Sequence, residues 1–363
     1  MKKLFKFLAL TTVLALASCN GKPAYESGPE KAIKGTGTIF NESLGFNTKD
    51  ASIFEENGVR YVVYVSNEVS EGDQVFAARK GVLENGTWVY GKKHIVLRGD
   101  AESWDMNIYN PSVIKGEFSY QNKTYSYLMA YNGNDNDMNT NNHIGLAVTN
   151  DILGSWTKVG DSPILANPEV YEASYGFGGC SLVSFDEASK GYMFYTVGET
   201  EITHQAAKAY DFSNLDDIVL ERGYSTLPVA GLNDKADVNI ISNASLALSK
   251  DLSTLYMVRD RLPASGNKPG QTTEVEISKA SVNVLASVSE RWTNVGYISG
   301  TDTMDVDNPD SLGWDQIYSG DFVTDEYGRL MSTSEVDVVY STFDEESTMV
   351  NYSSTLAQFR ITL

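Results

Sequence analysis

Acidic side chains in this sequence often stand beside aromatic ones, an arrangement suited to proton transfer. Asp105 follows Trp104, and Glu172 lies between Tyr171 and Tyr175. Aromatic neighbours raise the pKa of a carboxyl group by desolvation, which lets the group donate a proton near neutral pH. We therefore predict Glu172, with Asp105 as a second candidate, as a general acid. The competing interpretation is that both are solvated loop carboxylates.

Further aromatic, amide and charged side chains in the same stretches are suited to binding a ligand rich in hydroxyl groups. Aromatic rings stack on the apolar faces of sugar rings, and amides hydrogen-bond their hydroxyl groups. Arg259 could present a planar fork to such a ligand, or it could form an ion pair with Asp260 or another acid. The residues predicted to bind substrate are Trp104, Tyr109, Asn110, Tyr175, Glu199, Asn243, Arg259, Trp314, Asp315 and Tyr318.

The elements that position these residues form an internal repeat. Five segments share a short signature with small residues at its second and third positions, followed by a turn and an aromatic-rich strand. Small residues suit an innermost strand, where neighbouring sheets crowd together. The signatures begin at Asp50, Asn110, Gly179, Asn243 and, more weakly, Gly320.

Each repeat contains further strand-like segments, which predicts an all-β, five-bladed β-propeller with four-stranded antiparallel blades over residues 35–363. The alternative is an array of β-sandwiches. In the fifth repeat we predict the second strand at Arg329 to Thr333 and the third at Ala357 to Leu363. The chain then ends, so the run from Thr36 to Phe40 is predicted to close the ring as the missing fourth strand. Trp88, Trp156 and Trp292 are assigned to fourth strands and interpreted as structural.

Composition and motifs exclude several classes of function. The 48 acidic and 28 basic residues give a net charge of −20, which disfavours binding to nucleic acid or to an anionic membrane surface. No zinc-binding or phosphate-loop motif occurs, so no cofactor is expected. The run Asn132 to Asp137 has the composition of part of a calcium loop, which leaves open a structural calcium ion or a flexible loop. Cys180 is expected to be a small buried side chain.

The repeats resemble the five-bladed glycoside hydrolases of family 43 and its relatives in families 32, 62, 117 and 130. The similarity is carried by Asp50-Ala51-Ser52-Ile53, by Asn110-Pro111-Ser112-Val113-Ile114, and by Ile144-Gly145-Leu146-Ala147 followed by Trp156-Thr157-Lys158 and Pro163-Ile164-Leu165. The resemblance implies that Asp50 is the general base, which activates water against a bound sugar. Asp50 could instead simply form a turn after Lys49.

The other two carboxylates of the family have no counterpart here, because Gly179 and Asn243 open the third and fourth inner strands. An amide cannot donate a proton as a carboxylic acid does. We therefore predict a glycoside hydrolase acting on polysaccharide or oligosaccharide bonds, with its acid on a nearby loop. The alternatives are a non-catalytic glycan-binding protein with a degenerate hydrolase propeller, and a propeller that docks another envelope protein.

The first residues have the form of an export signal. Lys2, Lys3 and Lys6 precede a short apolar run, and Leu16-Ala17-Ser18-Cys19 resembles the lipobox of bacterial lipoproteins. The resemblance implies cleavage after residue 18 and acylation of Cys19, with residues 19–34 as a flexible tether. We expect a monomer in the cell envelope, at the outer membrane, which contacts the membrane through its lipid alone. An ordinary cleaved signal is the alternative.

Replacement of Cys19 tests the anchor. Cys19→Ser removes the thiol that would carry lipid, so the protein should remain uncleaved or be released from the membrane. Membrane fractions washed with salt and probed by immunoblotting measure the effect. Retention of the variant at the level of the unmodified chain would show that the lipobox interpretation is wrong.

Overall fold

The computed structural model describes most of the chain from Gly35 to Leu363 as β-strands arranged in five blades around one axis. The described residues are 35–40, 48–68, 74–136, 140–168, 174–198, 203–221, 225–232, 241, 243–261, 274–287, 289–299, 316–343 and 354–363. The predicted leader and tether, residues 1–34, lie outside them.

In each blade, antiparallel strands follow one another outwards from the axis. Blade one holds β2 (Lys49–Glu56), β3 (Val59–Asn67), β4 (Gln74–Glu84), β5 (Thr87–Tyr90) and β6 (His94–Arg98). Blade two holds β7 (Asn107–Tyr120), β8 (Lys123–Asn134), β9 (His143–Thr149) and β10 (Thr157–Lys158). Blade three holds β11 (Gly176–Ser184), β12 (Lys190–Gly198), β13 (Thr203–Asp211), β14 (Val219–Leu220) and β15 (Ser225–Thr226). Blade four holds β16 (Ser245–Ser249), β17 (Thr254–Arg261), β18 (Glu274–Ser281) and β19 (Thr293–Ser299), with a 3-10 turn at Val282–Leu285.

Blade five confirms the predicted ring closure. Its order from the axis is β20 (Gln316–Phe322), β23 (Glu335–Phe343), β24 (Ser354–Thr362) and β1 (Gly35–Phe40). β1 pairs antiparallel with β24, with Thr38 opposite Ala357 and Phe40 opposite Leu356. The N-terminal strand therefore covers the edge that the C-terminal strand would otherwise expose.

Two sequence-based assignments in blade five are wrong. The second strand is Glu335–Phe343 rather than Arg329 to Thr333. The fifth signature begins one residue earlier than predicted, at Ser319, because Ser319 has the left-handed φ of 52° found at the first position of the other four signatures. This register places Asp321 where the other blades have serine.

The apolar core is divided into five clusters, each between two consecutive blades. One cluster joins Phe54 and Val63 of blade one to Ile108 and Met129 of blade two, and the pattern repeats around the ring. At the closing junction, the Phe40 ring of β1 packs against Tyr64 and Tyr90 of blade one at centroid distances of 5.2 and 5.3 Å. Alternating apolar residues on strands covered on both faces produce this arrangement.

Polar contacts join the inner strands near the axis. Ser52 Oγ accepts the Val113 amide of the next blade at 3.1 Å, Ser112 Oγ accepts that of Leu182 at 2.9 Å, and Ser181 Oγ accepts that of Leu246 at 3.0 Å. Asp321 completes this ring, because its carboxylate accepts the Ser245 hydroxyl and the Ile53 amide. We call Ser52, Ser112, Ser181, Ser245 and Asp321 the inner ring.

A short segment closes one end of the central channel. We call the end at which the inner strands begin the upper face and the end at which they finish the lower face. β21 (Thr324–Asp325) pairs with β2 of blade one, and β22 (Arg329–Leu330) pairs with β16 of blade four. The carbonyls of Glu326 and Tyr327 accept amides from blades two and three. A ligand of the channel must therefore enter from the upper face.

Among the described residues, no helix has both the length and the apolar character needed to span a bilayer. Trp156 and Trp292 are buried, as the structural interpretation predicts. Trp88 is only half-buried. It lies on β5, which forms a hairpin with the end of β4 on the outside of blade one, while β6 pairs with the beginning of β4.

Two truncations test the closure of the ring. Deletion of residues 20–34 should leave stability nearly unchanged. Deletion of residues 20–41 removes β1, and the loss of its ladder hydrogen bonds and of the Phe40 contacts should cost several kcal/mol, about the sum of a large core truncation and a few buried hydrogen bonds. Thermal melts of the non-lipidated proteins measure both effects. Equal melting temperatures would show that β1 does not close the ring.

The inner ring should make stability depend on pH. Burial raises the pKa of Asp321 from 3.8 to about 7. Hydrogen bonds from Ser245, Ile53 and Phe322 oppose this rise but are the smaller effect. Because the pKa is higher in the folded state, this stabilisation is complete below the unfolded value and is lost as the pH rises through the folded value. The melting temperature should fall between about pH 4 and about pH 7.

Asp321→Asn should make that fall shallower, even if the variant melts at a lower temperature throughout. Asp161→Asn, at an exposed carboxylate, is the matched control and should keep the slope of the unmodified protein. An identical slope in Asp321→Asn would contradict the assignment.

Candidate functional site at the upper channel mouth

Each inner strand has a residue in a left-handed conformation at or near its start. Backbone φ is 49° at Asp50, 46° at Asn110, 58° at Gly179, 46° at Asn243 and 52° at Ser319. Aspartate, asparagine and glycine tolerate this conformation better than other residues. β-bulges at four of these positions shift the strand register just before the residue of the inner ring. Strained residues that recur around a channel mouth are a sign of a functional site.

These five residues line a cavity of about 30 Å³ together with the residues that follow them. Such a volume holds one or two water molecules and is too small for a sugar ring. A larger ligand must therefore rest above this floor, on side chains at the upper face.

Asp50 is held firmly in this floor, with only 6% of its surface exposed. Its amide donates to Ser341 Oγ at 3.0 Å, and its carboxyl group accepts a hydrogen bond from the Ser319 side chain. Burial raises the pKa of Asp50, while the charge of Lys49 and the Ser319 hydrogen bond oppose the rise. The result is a basic carboxylate beside a cavity of the size of a water molecule.

Asp260, which sequence reasoning treated only as a partner of Arg259, is a second buried carboxyl group, bonded to two residues of the floor. Its Oδ1 accepts the Ser319 amide at 2.8 Å, and its Oδ2 accepts Asn243 Nδ2 at 2.7 Å. Burial raises its pKa to about 8; the Asn243 and Ser319 hydrogen bonds lower it, the charge of Asp50 raises it and Arg259 lowers it. Asp260 is therefore largely protonated at neutral pH.

Ser319 connects the two acids. Its hydroxyl donates to Asp50, and its amide donates to Asp260. Asn110 Nδ2 also reaches Ser319 Oγ, at 3.4 Å. The structure thus brings the predicted residues Asp50, Asn110 and Asn243 into one hydrogen-bonded group whose centre is Ser319.

The structure contradicts the assignment of Arg259 to ligand binding. Its side chain is fully buried, and Nη2 pairs with Glu276 Oε2 at 3.0 Å, directly across the β17–β18 ladder. Glu276 also accepts Ser278 Oγ at 2.9 Å. Since adjacent residues of a strand point to opposite faces, it is Asp260 and not Arg259 that contacts the channel group.

The structure also contradicts Asp105 as a general acid. Asp105 is 1% exposed, and its Oδ2 lies 2.5 Å from Lys158 Nζ and 2.9 Å from the Tyr131 hydroxyl. The carboxyl group is therefore buried and already engaged by a lysine and a tyrosine, away from any bound substrate. Trp104 is stacked on Tyr131 with ring centroids 5.8 Å apart and lies edge-on to His143. Both residues belong to the packing of blade two rather than to the floor of the channel.

The predicted tyrosines are half-buried. Tyr175 packs against two glycines. A Cβ on Gly178 would lie 2.6 Å from the Tyr175 hydroxyl, and a Cβ on Gly198 would lie 2.4 Å from the Tyr175 Cβ. Burial raises the pKa of Tyr175, and Cys180, Asp50 and Asp260 raise it further. Tyr175 therefore lies close to both floor acids. Tyr109 carries the Lys49 ammonium 5.3 Å above its ring, and Tyr318 directly precedes Ser319.

Several predicted residues fall outside the described part of the chain: Glu172, Glu199, Trp314, Asp315 and Cys19. Within the described part, no group of three acidic, histidine or cysteine side chains is placed to hold a metal ion. In the stretch considered for calcium, Asn132 and Asn134 donate instead to the Asn142 side chain, at 3.4 and 2.9 Å. Cys180 is buried on its inner strand, with no disulfide partner among the described residues.

No protein-family model and no curated protein matches the chain. Solved structures do match, over nearly its whole length. A thermostable family-43 glycoside hydrolase is 15% identical, with a TM-score of 0.54 and coverage of 88% of this chain and 92% of that one. A GH62 hydrolase in complex with xylotriose is 9% identical, with a TM-score of 0.56 and coverage of 93% and 99%.

An endo-arabinase from Bacteroides thetaiotaomicron is 13% identical, with a TM-score of 0.51 and coverage of 92% of this chain and 98% of that one. Identities this low establish the fold and leave the activity open. The chain has the propeller fold of these glycoside hydrolases.

Proposed function

We propose that this protein binds a carbohydrate chain at the upper channel mouth and hydrolyses a glycosidic bond there, with Asp50 as the general base. The observation that carries the proposal is the position of Asp50. It opens the first inner strand, its carboxyl group lines a cavity with room for water, and the Ser319 side chain fixes its orientation. The half-buried tyrosines around the floor offer apolar surfaces on which sugar rings can rest.

In the proposed reaction, a sugar lies above the floor and a water molecule lies between it and Asp50. Asp50 takes a proton from the water as its oxygen bonds to the anomeric carbon, and the leaving oxygen receives a proton from an acid. Glu172, which precedes blade three in the sequence, remains the candidate acid. Asp260 does not line the cavity. It holds Ser319, which in turn bonds to Asp50, and its charge affects the ionisation of Asp50.

Asp260 should keep Asp50 ionised in the working range of pH. Two buried carboxylates so close together repel each other when both are charged. Because the charge of Asp50 raises the pKa of Asp260, Asp260 takes up the proton and Asp50 retains the negative charge. The pair then carries about one charge near neutral pH, as coupled acids do.

One observation favours a second function, non-catalytic glycan binding. The equivalent positions in blades three and four are Gly179 and Asn243, and the Asn243 amide is already bonded to Asp260. A site with this floor can hold a glycan through stacking and hydrogen bonds without breaking it.

We further propose that the protein works at the cell envelope, anchored by lipid at Cys19. The charged start, apolar run and lipobox-like Leu16-Ala17-Ser18-Cys19 support this location.

Replacement of Asp50 separates the two functions. Asp50→Asn keeps the size of the side chain and removes its basicity, so turnover should fall about 10²–10⁴-fold, the usual contribution of a general base. Because the pKa of Asp50 is raised, turnover of the unmodified enzyme should decline with falling pH at a higher pH than for an ordinary aspartate. Both effects are measured as product release from aryl glycosides, xylotriose and cellotriose. Asp161→Asn is the control.

Calorimetry on the same sugars supplies the other half of the test. Binding that survives in Asp50→Asn while turnover is lost supports hydrolysis. Binding by the unmodified protein with no product on any substrate supports the glycan-binding function. Full turnover in Asp50→Asn contradicts Asp50 as the base.

A further inference from the structure

A second cavity, of about 660 Å³, lies on the lower face, between blades one and five. We call it the lower groove. Its lining comes mainly from the outer hairpin of blade one, from the ends of β2 and β3, from β23 and the turn that precedes it, and from β24. Its volume lies within the usual range of small-molecule sites. None of its lining residues belongs to the channel floor, so it is a separate site.

The hairpin β4–β5 forms one wall of the lower groove. In its register Leu83 is opposite Trp88, and Gly81 is opposite Tyr90. Gly81 leaves room for the Tyr90 ring, because a Cβ at this position would lie 2.8 Å from it. Leu83 is 56% exposed although it lies beside Trp88. This wall is an aromatic and aliphatic surface open to solvent.

The floor of the lower groove is a fixed polar network. Arg60, which is 2% exposed, pairs with Glu55 at 2.6 Å and with Asp337 at 3.1 Å, and its guanidinium lies 4.4 Å from the Trp88 ring centroid. Arg360 bonds the same Asp337 at 2.7 and 3.0 Å and is itself 61% exposed. These ion pairs hold Trp88 and Asp337 in place before any ligand arrives, which reduces the entropy lost on binding.

The charges of the groove favour a neutral ligand. Glu55, Glu335 and Asp337 offset Arg60 and Arg360 and leave a slight negative excess in an already acidic protein. An anionic ligand would meet repulsion, and a purely apolar one would desolvate the ion pairs. A neutral sugar matches both parts of the groove, because its C–H faces can rest on Leu83 and Trp88 while its hydroxyl groups hydrogen-bond carboxylates and guanidinium.

We propose that the lower groove is a second carbohydrate site, which binds a neutral oligosaccharide segment of a polymer without cleaving it. Its contacts are the Trp88–Leu83 wall, the exposed Arg360, and the Asp337 and Glu335 carboxylates. The proposal is independent of hydrolysis at the upper mouth, since the plug formed by residues 324–330 separates the two sites.

Affinity gel electrophoresis with immobilised arabinoxylan, arabinan, mixed-linkage β-glucan and, as an acidic polymer, polygalacturonan tests the proposal. The mature protein in its Asp50→Asn form should be retarded by at least one neutral polymer. Trp88→Ala and Leu83→Ser, in the same background, should weaken that retardation at least fivefold. Val89→Ala is the matched control, because Val89 lies on the opposite face of the same hairpin and is 46% exposed.

A second measurement guards against a folding defect in Trp88→Ala. In ¹⁵N spectra the indole signal of Trp88, assigned with Trp88→Phe, should shift when xylotriose or cellotriose is added to the Asp50→Asn protein. Retardation by no neutral polymer, equal retardation of Leu83→Ser and Val89→Ala, or an unmoved Trp88 signal with every sugar would each overturn the second site. Turnover at the upper mouth is unaffected by these outcomes, so failure here is distinguishable from failure of the proposed function.

Discussion

The hydrogen bonds of the inner ring set how each blade is positioned against the next, and the rest of the structure depends on that arrangement. Each blade is a twisted sheet that cannot bury both of its faces alone, and the apolar clusters between blades are non-directional. The Oγ atoms of Ser52, Ser112 and Ser181, each bonded to an amide of the next blade at 2.9–3.1 Å, add direction and register. The residue two positions before each ring residue faces the channel mouth, so the same contacts that join the blades also set the geometry of the candidate site.

The sequence predicted the architecture well because the inner ring requires a small hydroxyl side chain at equivalent positions. Ser52, Ser112, Ser181 and Ser245 made four repeats visible. In the fifth, Asp321 performs the serine's task, and this substitution shifted the predicted register by one residue. Ring closure was predictable because the C-terminal strand, with its apolar Phe359 and Ile361, needed a partner.

The site was less predictable, and the reason lies in side-chain direction. Arg259 and Asp260 are neighbours at the end of β17, and the sequence does not reveal which of the two faces the channel. The arginine was the more conspicuous residue, yet it is Asp260 that bonds to Asn243 and Ser319. Asp105 was misjudged for a related reason: its aromatic neighbours were visible in the sequence, but its ion pair with the distant Lys158 was not.

Buried acids recur near the axis of this acidic protein. Asp260 and Asp321 have pKa values raised to about 8 and about 7, while salt-bridged carboxyl groups towards the outside, such as Asp337, have lowered values. Protons are therefore held near the axis and negative charge is held at the periphery.

The direction of β1 determines how an anchored molecule would be oriented. Gly35 lies opposite Phe359 and Phe40 opposite Leu356, so the strand runs from the lower face towards the upper one. A tether before Gly35 leaves from the lower side, and its sixteen residues from 19 to 34 reach at most roughly 50–60 Å. Anchored in this way, the propeller would be attached on the side of the lower groove, and its channel mouth would lie on the side opposite the attachment. Ring closure by the N-terminal strand would then also set the side of the propeller from which the tether leaves.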